Sequence, residues 1–334
     1  MDNPYFSVVI PTYNRQAQLA LCLDALASQS LDVRLFEVIV VDDGSTDGSA
    51  ENVRKRAFPF PCKVLTVPNG GASEARNRGI KEARGGFIAL TEDDVIPDSE
   101  WLAAAKRNLD AGGIDVLEGR TVYLGTATDV RRFEKTGIPS FIPCNLFVRR
   151  TVFDDVGGYD PAFFDARAHL YFREDADLGF RLLDAGYTVA FGREAVVAHP
   201  RQFGELRECL RHSRRYVFDP LLYRKHPLRY RACIEVKTIG GITIHRPQHL
   251  VALLYVACLA GMAWSATYGS LRWMTGLAAV AFVCSCLFRY RYQGIRTLRL
   301  HRLKDTIGFL AVPIVYIGAV CKGCIRYRTV GPLL

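Results

Sequence analysis

Two short acidic runs stand where apolar runs stop. Asp42 and Asp43 follow "FEVIVV", and Glu92, Asp93 and Asp94 follow "FIALT". Neighbouring carboxylates repel, and a cluster near a buried strand end is costly unless a cation or hydrogen-bond donors offset it. The second run contains no Lys or Arg. Hard oxygen ligands suit Mg²⁺ or Mn²⁺, so a divalent cation is the economical explanation for two runs at matched strand ends. The alternative is a solvated acidic turn that caps a helix starting near Ser99. A third acidic group, Glu174 and Asp175, opens "EDADLGFRLLDAG", in which Leu178, Leu182 and Leu183 share a helical face that ends at Gly186. Carboxylates there are favoured by the helix dipole alone.

The elements that must position these groups follow from periodicity. "YFSVVIPTYN" reads as a buried strand, Phe6–Ile10, ended by Pro11. Leu19, Cys22, Leu23 and Leu26 recur at helical spacing. A second strand covers Val38–Val41, a helix Ser49–Arg56, and a third strand "CKVLTVP". A glycine-started helix, "GGASEARNRGIKEAR", precedes a fourth strand, "GGFIAL". Alternating strands and helices predict an α/β fold with a mostly parallel sheet flanked by helices. Ligands of such sheets bind beyond the carboxyl ends of the strands, which puts both acidic runs on one edge.

Five ordered blocks, "VVIPTYNR", "VIVVDDGSTD", "NGGASEARNRGIKEARGGFIALTEDD", "GGYD" and "FREDADLGFRLLDAGY", resemble family 2 glycosyltransferases of the GT-A nucleotide-sugar-binding fold over about residues 5–200. The resemblance implies that Pro11 and Thr12 line the nucleoside site. It implies that Asp43 accepts a hydrogen bond from the base, uracil N3–H or the N–H edge of guanine, and that Gly44 lets the backbone pass close to the nucleoside. Arg76 and Asn77 would face the nucleotide, with a surface salt bridge as the other reading of Arg76. Glu92 and Asp94 match the outer positions of a D-x-D motif whose first residue is more often Asp. Asp94 would bind the metal, Glu92 would face the ribose or a metal-bound water, and Asp93 would join the nucleotide-sugar site. Mg²⁺ or Mn²⁺ would stabilise the leaving diphosphate. Asp175 would be the general base of an inverting displacement, with Glu174 or Asp177 as substitutes. His199 would complete the metal or diphosphate site. "GGYD" (Gly157–Asp160) would shape the acceptor side, Asn145 would lie near the sugar, and Glu174 would approach the acceptor or diphosphate.

After residue 200 the character changes. The segment after Phe203 carries Leu206 and Leu210 against Arg207, Arg211, Arg214 and Arg215, as a basic interfacial helix would. Gln248–Leu271 is uncharged and long enough to cross a bilayer, whereas Trp273–Phe288 and Thr306–Val320 are shorter. Basic residues flank the first two stretches and predict a hairpin with both ends cytoplasmic. The expected division is a catalytic domain over 1–200, basic interfacial helices over 201–246, and a membrane region over 247–334 with two or three spanning or re-entrant helices. His212, Arg215 and Tyr216 match in part the Q-x-x-R-W motif of processive synthases, which would bring Arg215 to the diphosphate or to a phospholipid headgroup.

The chain of 334 residues holds 43 Lys+Arg against 34 Asp+Glu. Acidic residues dominate before about residue 210 and basic ones after it, beside apolar runs, which points to a membrane surface rather than nucleic acid. The ten cysteines form no disulfide-like framework, and Cys321 and Cys324 form a lone C-x-x-C with no second pair for zinc. No signal-peptide pattern precedes the first strand. The expectation is an inverting, metal-dependent transferase of the inner membrane, facing the cytoplasm. It would move a sugar from a nucleotide sugar, UDP-linked in preference, to a lipid-linked or glycan acceptor in polysaccharide or glycolipid synthesis. A processive synthase and a non-catalytic nucleotide-sugar-binding membrane protein are the alternatives.

Overall fold

The computed structural model of the chain describes residues 3–123, 139–199, 206–234, 236–239, 242–268, 271–293 and 308–331. Two compact units, Met1–Arg201 and Gln202–Leu334, divide it.

In the first unit the elements run β1 (Phe6–Thr12), α1 (Gln16–Ala27), β2 (Phe36–Asp42), α2 (Ser49–Lys55), β3 (Cys62–Thr66), α3 (Ala72–Glu82), β4 (Phe87–Leu90), β5 (Ile96–Pro97), α4 (Trp101–Asp110), β6 (Val116–Tyr123), β7 (Leu146–Arg149), α5 (Arg150–Val156), β8 (Phe164–Asp165), β9 (Leu170–Tyr171), α6 (Glu174–Asp184) and β10 (Val189–His199). Eight strands form one sheet in the order β3-β2-β1-β4-β7-β6-β10-β5. The sheet is mixed. β7 runs antiparallel to β4 and β6, β5 runs antiparallel to β10, and the other strands share one direction.

β1 and β2 are buried along their whole length and mostly apolar because both faces of the sheet are covered. Phe6, Val8 and Ile10 of β1 pack with Leu19, Leu23 and Leu26 of α1 and with Trp101. Val9, Ile39 and Val41 point the other way, toward Ala75 of α3 and Leu178 and Leu182 of α6. β1 does not stop at Pro11 as its sequence suggests. It continues to Thr12, with Pro11 opposite Val41 of β2, while its pairing with β4 ends at Val9 and Leu90. Proline is tolerated there because the missing N–H faces a side where the ladder has ended.

In the second unit the elements are α7 (Leu206–Arg215), α8 (Asp219–Lys225), α9 (Pro227–Cys233), a hairpin of β11 (Val236–Ile239) and β12 (Ile242–His245), α10 (Pro247–Thr267), α11 (Leu271–Gln293) and α12 (Val312–Tyr327). Among the described residues, α10 is the one helix long and apolar enough to cross a bilayer; the apolar stretch of α11, Arg272–Phe288, is shorter. α10 and α11 pack through Tyr255, Cys258, Ala281 and Cys284. Gly261 lies so near Leu277 that a Cβ there would sit 2.9 Å from its Cδ1. Leu250, Leu253, Leu254, Trp264, Phe282, Val283 and Leu287 stay exposed on these two helices. The third apolar stretch begins outside the described residues, at Thr306 and Ile307, and otherwise falls largely in α12. None of the ten cysteines forms a disulfide among the described residues.

Candidate active site

The strand-end rule gathers the site. β1, β2 and β4 run parallel and end at Thr12, Asp42 and Leu90, so their following residues share one edge. Two residues beyond Asp94 the chain forms β5, which pairs antiparallel with the last residues of β10 (Ala198 opposite Ile96). That pairing carries His199 to the acidic run. Nε2 of His199 lies 3.6 Å from Glu92 Oε2 and 3.7 Å from Asp94 Oδ1.

One ligand atom from each of Glu92, Asp94 and His199 falls within 4.8 Å of the others. Two ligands at neighbouring octahedral positions, each about 2.1 Å from a metal, are about 3 Å apart, so the three need to close by less than about 1–2 Å. Asp94 Oδ1 is buried and has no hydrogen-bond partner among the described residues. An orphaned carboxylate oxygen facing an imidazole nitrogen and a second carboxylate fits a divalent cation. These three residues would hold it.

The charge balance differs from what the local sequence suggests. The acidic run has no internal cation, but two distant arginines supply one each. Nη1 of Arg15, from the loop after β1, lies 3.0 Å from Asp93 Oδ1 and 2.6 Å from Asp94 Oδ2. Nη2 of Arg76, on α3, donates to Glu92 Oε1 at 2.8 Å, and Nη1 lies 3.8 Å from Glu174. Arg76 is 1% exposed, which removes the surface salt-bridge reading. Its guanidinium also lies over the ring of Tyr159, 5.3 Å from the centroid. Burial pushes Glu92 upward, but bonding to His199 and the charges of Arg76, His199 and Arg15 hold it below the usual glutamate range. Arg15 was legible only by applying the strand-end rule to β1 as well as to the acidic strands.

Asp93 is buried, and its oxygens accept from Thr12 Oγ1 at 2.8 Å and from Arg15. Burial raises its pKa to about 6, against the opposing pull of Arg15 and Thr12. Asp93 and Thr12 thus tie the run to β1. Pro11 is buried one residue earlier.

At the β2 end, Asp43 Oδ1 and Oδ2 accept from the N–H groups of Gly70 and Gly71, at 2.7 and 2.9 Å. Asn69 Nδ2 donates to the Asp43 carbonyl at 2.9 Å. The "NGG" loop is therefore strapped to the "DG" turn, and each carboxylate oxygen keeps further acceptor capacity. Burial, its largest cause, raises the Asp43 pKa. Gly44 has φ +78°, and a Cβ there would stand 3.3 Å from Asn69 N.

Asn77 bonds to the "GGYD" turn. Its Nδ2 donates to the Tyr159 carbonyl at 2.7 Å, and its Oδ1 accepts from Tyr159 N–H at 2.8 Å. Both ends of the amide are spent on the "GGYD" turn, where Gly157 and Gly158 have φ +79° and +72°. Arg181 Nη2 donates to the Gly158 carbonyl from the other side. Asn145 is likewise engaged within the protein. It is 1% exposed, accepts from Trp101 Nε1 at 2.8 Å, and donates to the carbonyls of Arg120 and Ala195, each at 3.0 Å. Ala195 lies where the β6–β10 register shifts between Gly192 and Val196, so Asn145 pins that irregularity and its amide is used up inside the core.

Of the three acids that open α6, Glu174 and Asp177 are buried, while Asp175 keeps partial exposure. Glu174 lies against Arg76, and Asp177 accepts from Arg181 at 2.9 Å. Asp175 Oδ1 accepts from Ala176 N–H at 2.7 Å. Burial holds its pKa above the usual aspartate range, against that bond and the charges of Arg173 and Arg76. Arg173, just before α6, has φ +74°, a left-handed conformation that a non-glycine residue holds at a cost of about 1–2 kcal/mol. Tyr123 and Tyr159 are each pushed up, chiefly by burial, and both feel Glu92 and Asp175. Glu92, a candidate metal ligand, and the partly exposed Asp175 thus both act electrostatically on the same two tyrosines. Arg215 ends α7 in the second unit, beside His212 and Tyr216, whose rings meet edge to face at 5.7 Å.

Comparison with known proteins agrees with this geometry. The model of Glycosyl transferase family 2 matches residues 7–176. The chain is 30% identical to glycosyltransferase AglE of Haloferax volcanii over 220 residues, 61% of this chain and 69% of that protein. It is 32% identical to the poly(ribitol-phosphate) beta-N-acetylglucosaminyltransferase TarS of Staphylococcus aureus over 169 residues, 47% of this chain and only 29% of that protein. Among solved structures, mannosyltransferase PcManGT from Pyrobaculum calidifontis, in complex with GDP-Man and Mn²⁺, superposes with a TM-score of 0.59 at 19% identity, covering 95% of this chain and 88% of that one. S. aureus TarS in complex with UDP-GlcNAc gives 0.51 at 17% identity, covering 97% and 92%. These structural likenesses establish the GT-A type of fold. With a family model matched over just over half its length, and a curated glycosyltransferase aligned over most of both chains, the chain belongs to glycosyl transferase family 2.

Proposed function

We propose that the chain is an inverting, metal-dependent glycosyltransferase that moves a sugar from a nucleotide sugar to a membrane-associated acceptor such as a lipid-linked glycan. The observation that carries the reading is the site itself. A three-residue candidate ligand set with an orphaned Asp94 oxygen is joined by Asp175, the one acid of its helix start left partly exposed, which acts on Tyr123 and Tyr159 as Glu92 does.

Asp43 and the strapped "NGG" loop would receive the base. The remaining acceptor capacity of Asp43 suits uracil N3–H, and a UDP-sugar is the favoured donor. Glu92, Asp94 and His199 would hold Mg²⁺ or Mn²⁺, which would neutralise the diphosphate as it leaves. Asp175 would take the proton of the acceptor hydroxyl as its oxygen bonds to the anomeric carbon. The bond from that carbon to the phosphate oxygen breaks, and its electron pair departs with the nucleoside diphosphate. One such displacement inverts the anomeric centre. A carboxylate whose pKa is raised by burial is a stronger base at neutral pH than an exposed one.

The second unit would bring this chemistry to a membrane. α10 has the length and composition of a span, and the exposed apolar side chains of α10 and α11 suit lipid contact. The test is release of nucleoside diphosphate from a panel of UDP-, GDP- and dTDP-sugars, in the presence of a membrane-lipid extract, with Mn²⁺ and then with EDTA. Metal-dependent release that Asp175→Asn abolishes supports the reading. Nucleotide binding without release from any donor overturns it. Product length separates single transfer from processive synthesis.

A further inference from the structure

The second unit contains a buried polar cluster for which the transfer has no use. It lies where the β11–β12 hairpin gives way to α10. Arg246 stands at the N-cap of that 21-residue helix, with φ +53°. No side chain caps the helix, and no acidic residue lies in its first turn. Pro247 brings no N–H and the His249 N–H donates to the Arg246 carbonyl at 2.9 Å, but no carboxylate of this turn meets the positive end of the helix dipole.

Nearby, Asp219 is fully buried and accepts from the Tyr230 hydroxyl at 2.7 Å. Arg246 Nη2 lies 4.0 Å from Asp219 and 3.2 Å from His249 Nδ1. A guanidinium can only donate, so His249 Nδ1 accepts and the neutral ring carries its proton on Nε2. That N–H has no hydrogen-bond partner among the described residues, although His249 is 3% exposed. Gln248, 7% exposed, has none for either Nε2 or Oε1.

Buried donors without acceptors are costly, and here they gather at the start of a helix beside an arginine. The acid of the cluster, Asp219, is already engaged by Tyr230. Several N–H donors, one cation and a helix N-terminus together suit a ligand group with several anionic oxygens. We infer that this corner of the second unit, built on Arg246, Gln248 and His249, binds a phosphate group. Its source is either a phosphate-bearing lipid, since the exposed Leu250 follows immediately on the helix, or free phosphate. The inference stands independently of the metal site and of Asp175.

The test uses the full chain in phosphate-free, neutral detergent. One arm titrates inorganic phosphate. The other compares mixed micelles of phosphatidic acid with diacylglycerol micelles, which have the same chains and no phosphate. Binding is read by thermal shift and by broadening of the ³¹P resonance. The expected result is saturable binding in at least one arm, weakened about tenfold or more in Gln248→Leu and in His249→Leu, and kept within about threefold in His249→Gln, which retains a donor. Without ligand, Gln248→Leu should melt no lower than the parent, since it replaces unpartnered polar atoms with carbon. Saturation in the first arm assigns free phosphate, and saturation in the second alone assigns a lipid. No saturable binding in either arm, binding that both leucine variants retain, or a lower melting point of unliganded Gln248→Leu would each overturn the inference.

Discussion

Arg76 offers the sharpest test of how the site is held together. Its guanidinium, 1% exposed, donates to Glu92 and lies 3.8 Å from the buried Glu174. Arg76→Met keeps most of the volume but strands two carboxylates. Removing one partner of a buried ion pair costs about 3–5 kcal/mol. The Glu92 side chain is 23% exposed and regains some hydration, so the lower end, about 3 kcal/mol, applies. In a unit of this size each kcal/mol shifts the melting temperature by about 2–4 °C, so Arg76→Met should lower the first unit's transition by about 6–12 °C. The assay is scanning calorimetry of the parent, Arg76→Met, Glu92→Gln and the double variant. Because the two groups touch, the double variant should lose about 1–2 kcal/mol less than the sum of the single losses. A shift of Arg76→Met below about 1 °C, or strict additivity, would refute the claim that an Arg76–Glu92 pair supports the candidate metal-ligand face.

Four further outcomes are expected. Asp175→Asn should lower kcat by about 10²–10⁴ while nucleotide affinity, measured by calorimetric titration, stays unchanged. In the parent, kcat should fall as pH drops through the Asp175 pKa. Burial raises that pKa, so the acid limb should lie above the ordinary aspartate value of about 3.9, and a limb below it would contradict the assignment. His199→Ala should weaken the metal dependence of nucleotide release, and a nitrogen among oxygen ligands should make Mn²⁺ more effective than Mg²⁺. Glu37 accepts from Ser7 at 2.7 Å and from Arg84, and these bonds outweigh burial to hold its pKa below the usual glutamate range. Its contribution should therefore be complete above the unfolded value, about 4.3, and lost as pH falls through the folded one. Melting curves of Glu37→Gln should lack that acid-side decline.

The chemistry-bearing groups were legible because they sit at strand ends. An apolar run followed by carboxylates marks Asp42, Asp43 and Glu92–Asp94 as edge residues whatever the rest of the fold does, and "AVVAH" does the same for His199. The acidic start of α6 was equally plain. Its sequence does not say which of three acids stays accessible, because that depends on how α6 turns its Leu178 and Leu182 face to the sheet. Packing buries Glu174 and Asp177 and leaves Asp175 in partial contact with solvent.

Other assignments went to the tertiary structure outright. Asn145 and Asn77 have the residue type of sugar and nucleotide ligands, but an amide is equally able to satisfy buried backbone groups. One pins the β10 irregularity and the other brackets the Gly158–Tyr159 turn. Arg15 reaches Asp93 and Asp94 from 78 and 79 positions away, and Arg76 reaches Glu92 from 16, so no local pattern announces them. By itself the sequence determined the alternating elements, the edge on which the acids gather and the apolar helices that follow. Which donors meet those acids was decided only when β5 paired with β10 and α3 packed on β1, because hydrogen bonds and ion pairs depend on distances of a few ångströms that sequence separation does not encode.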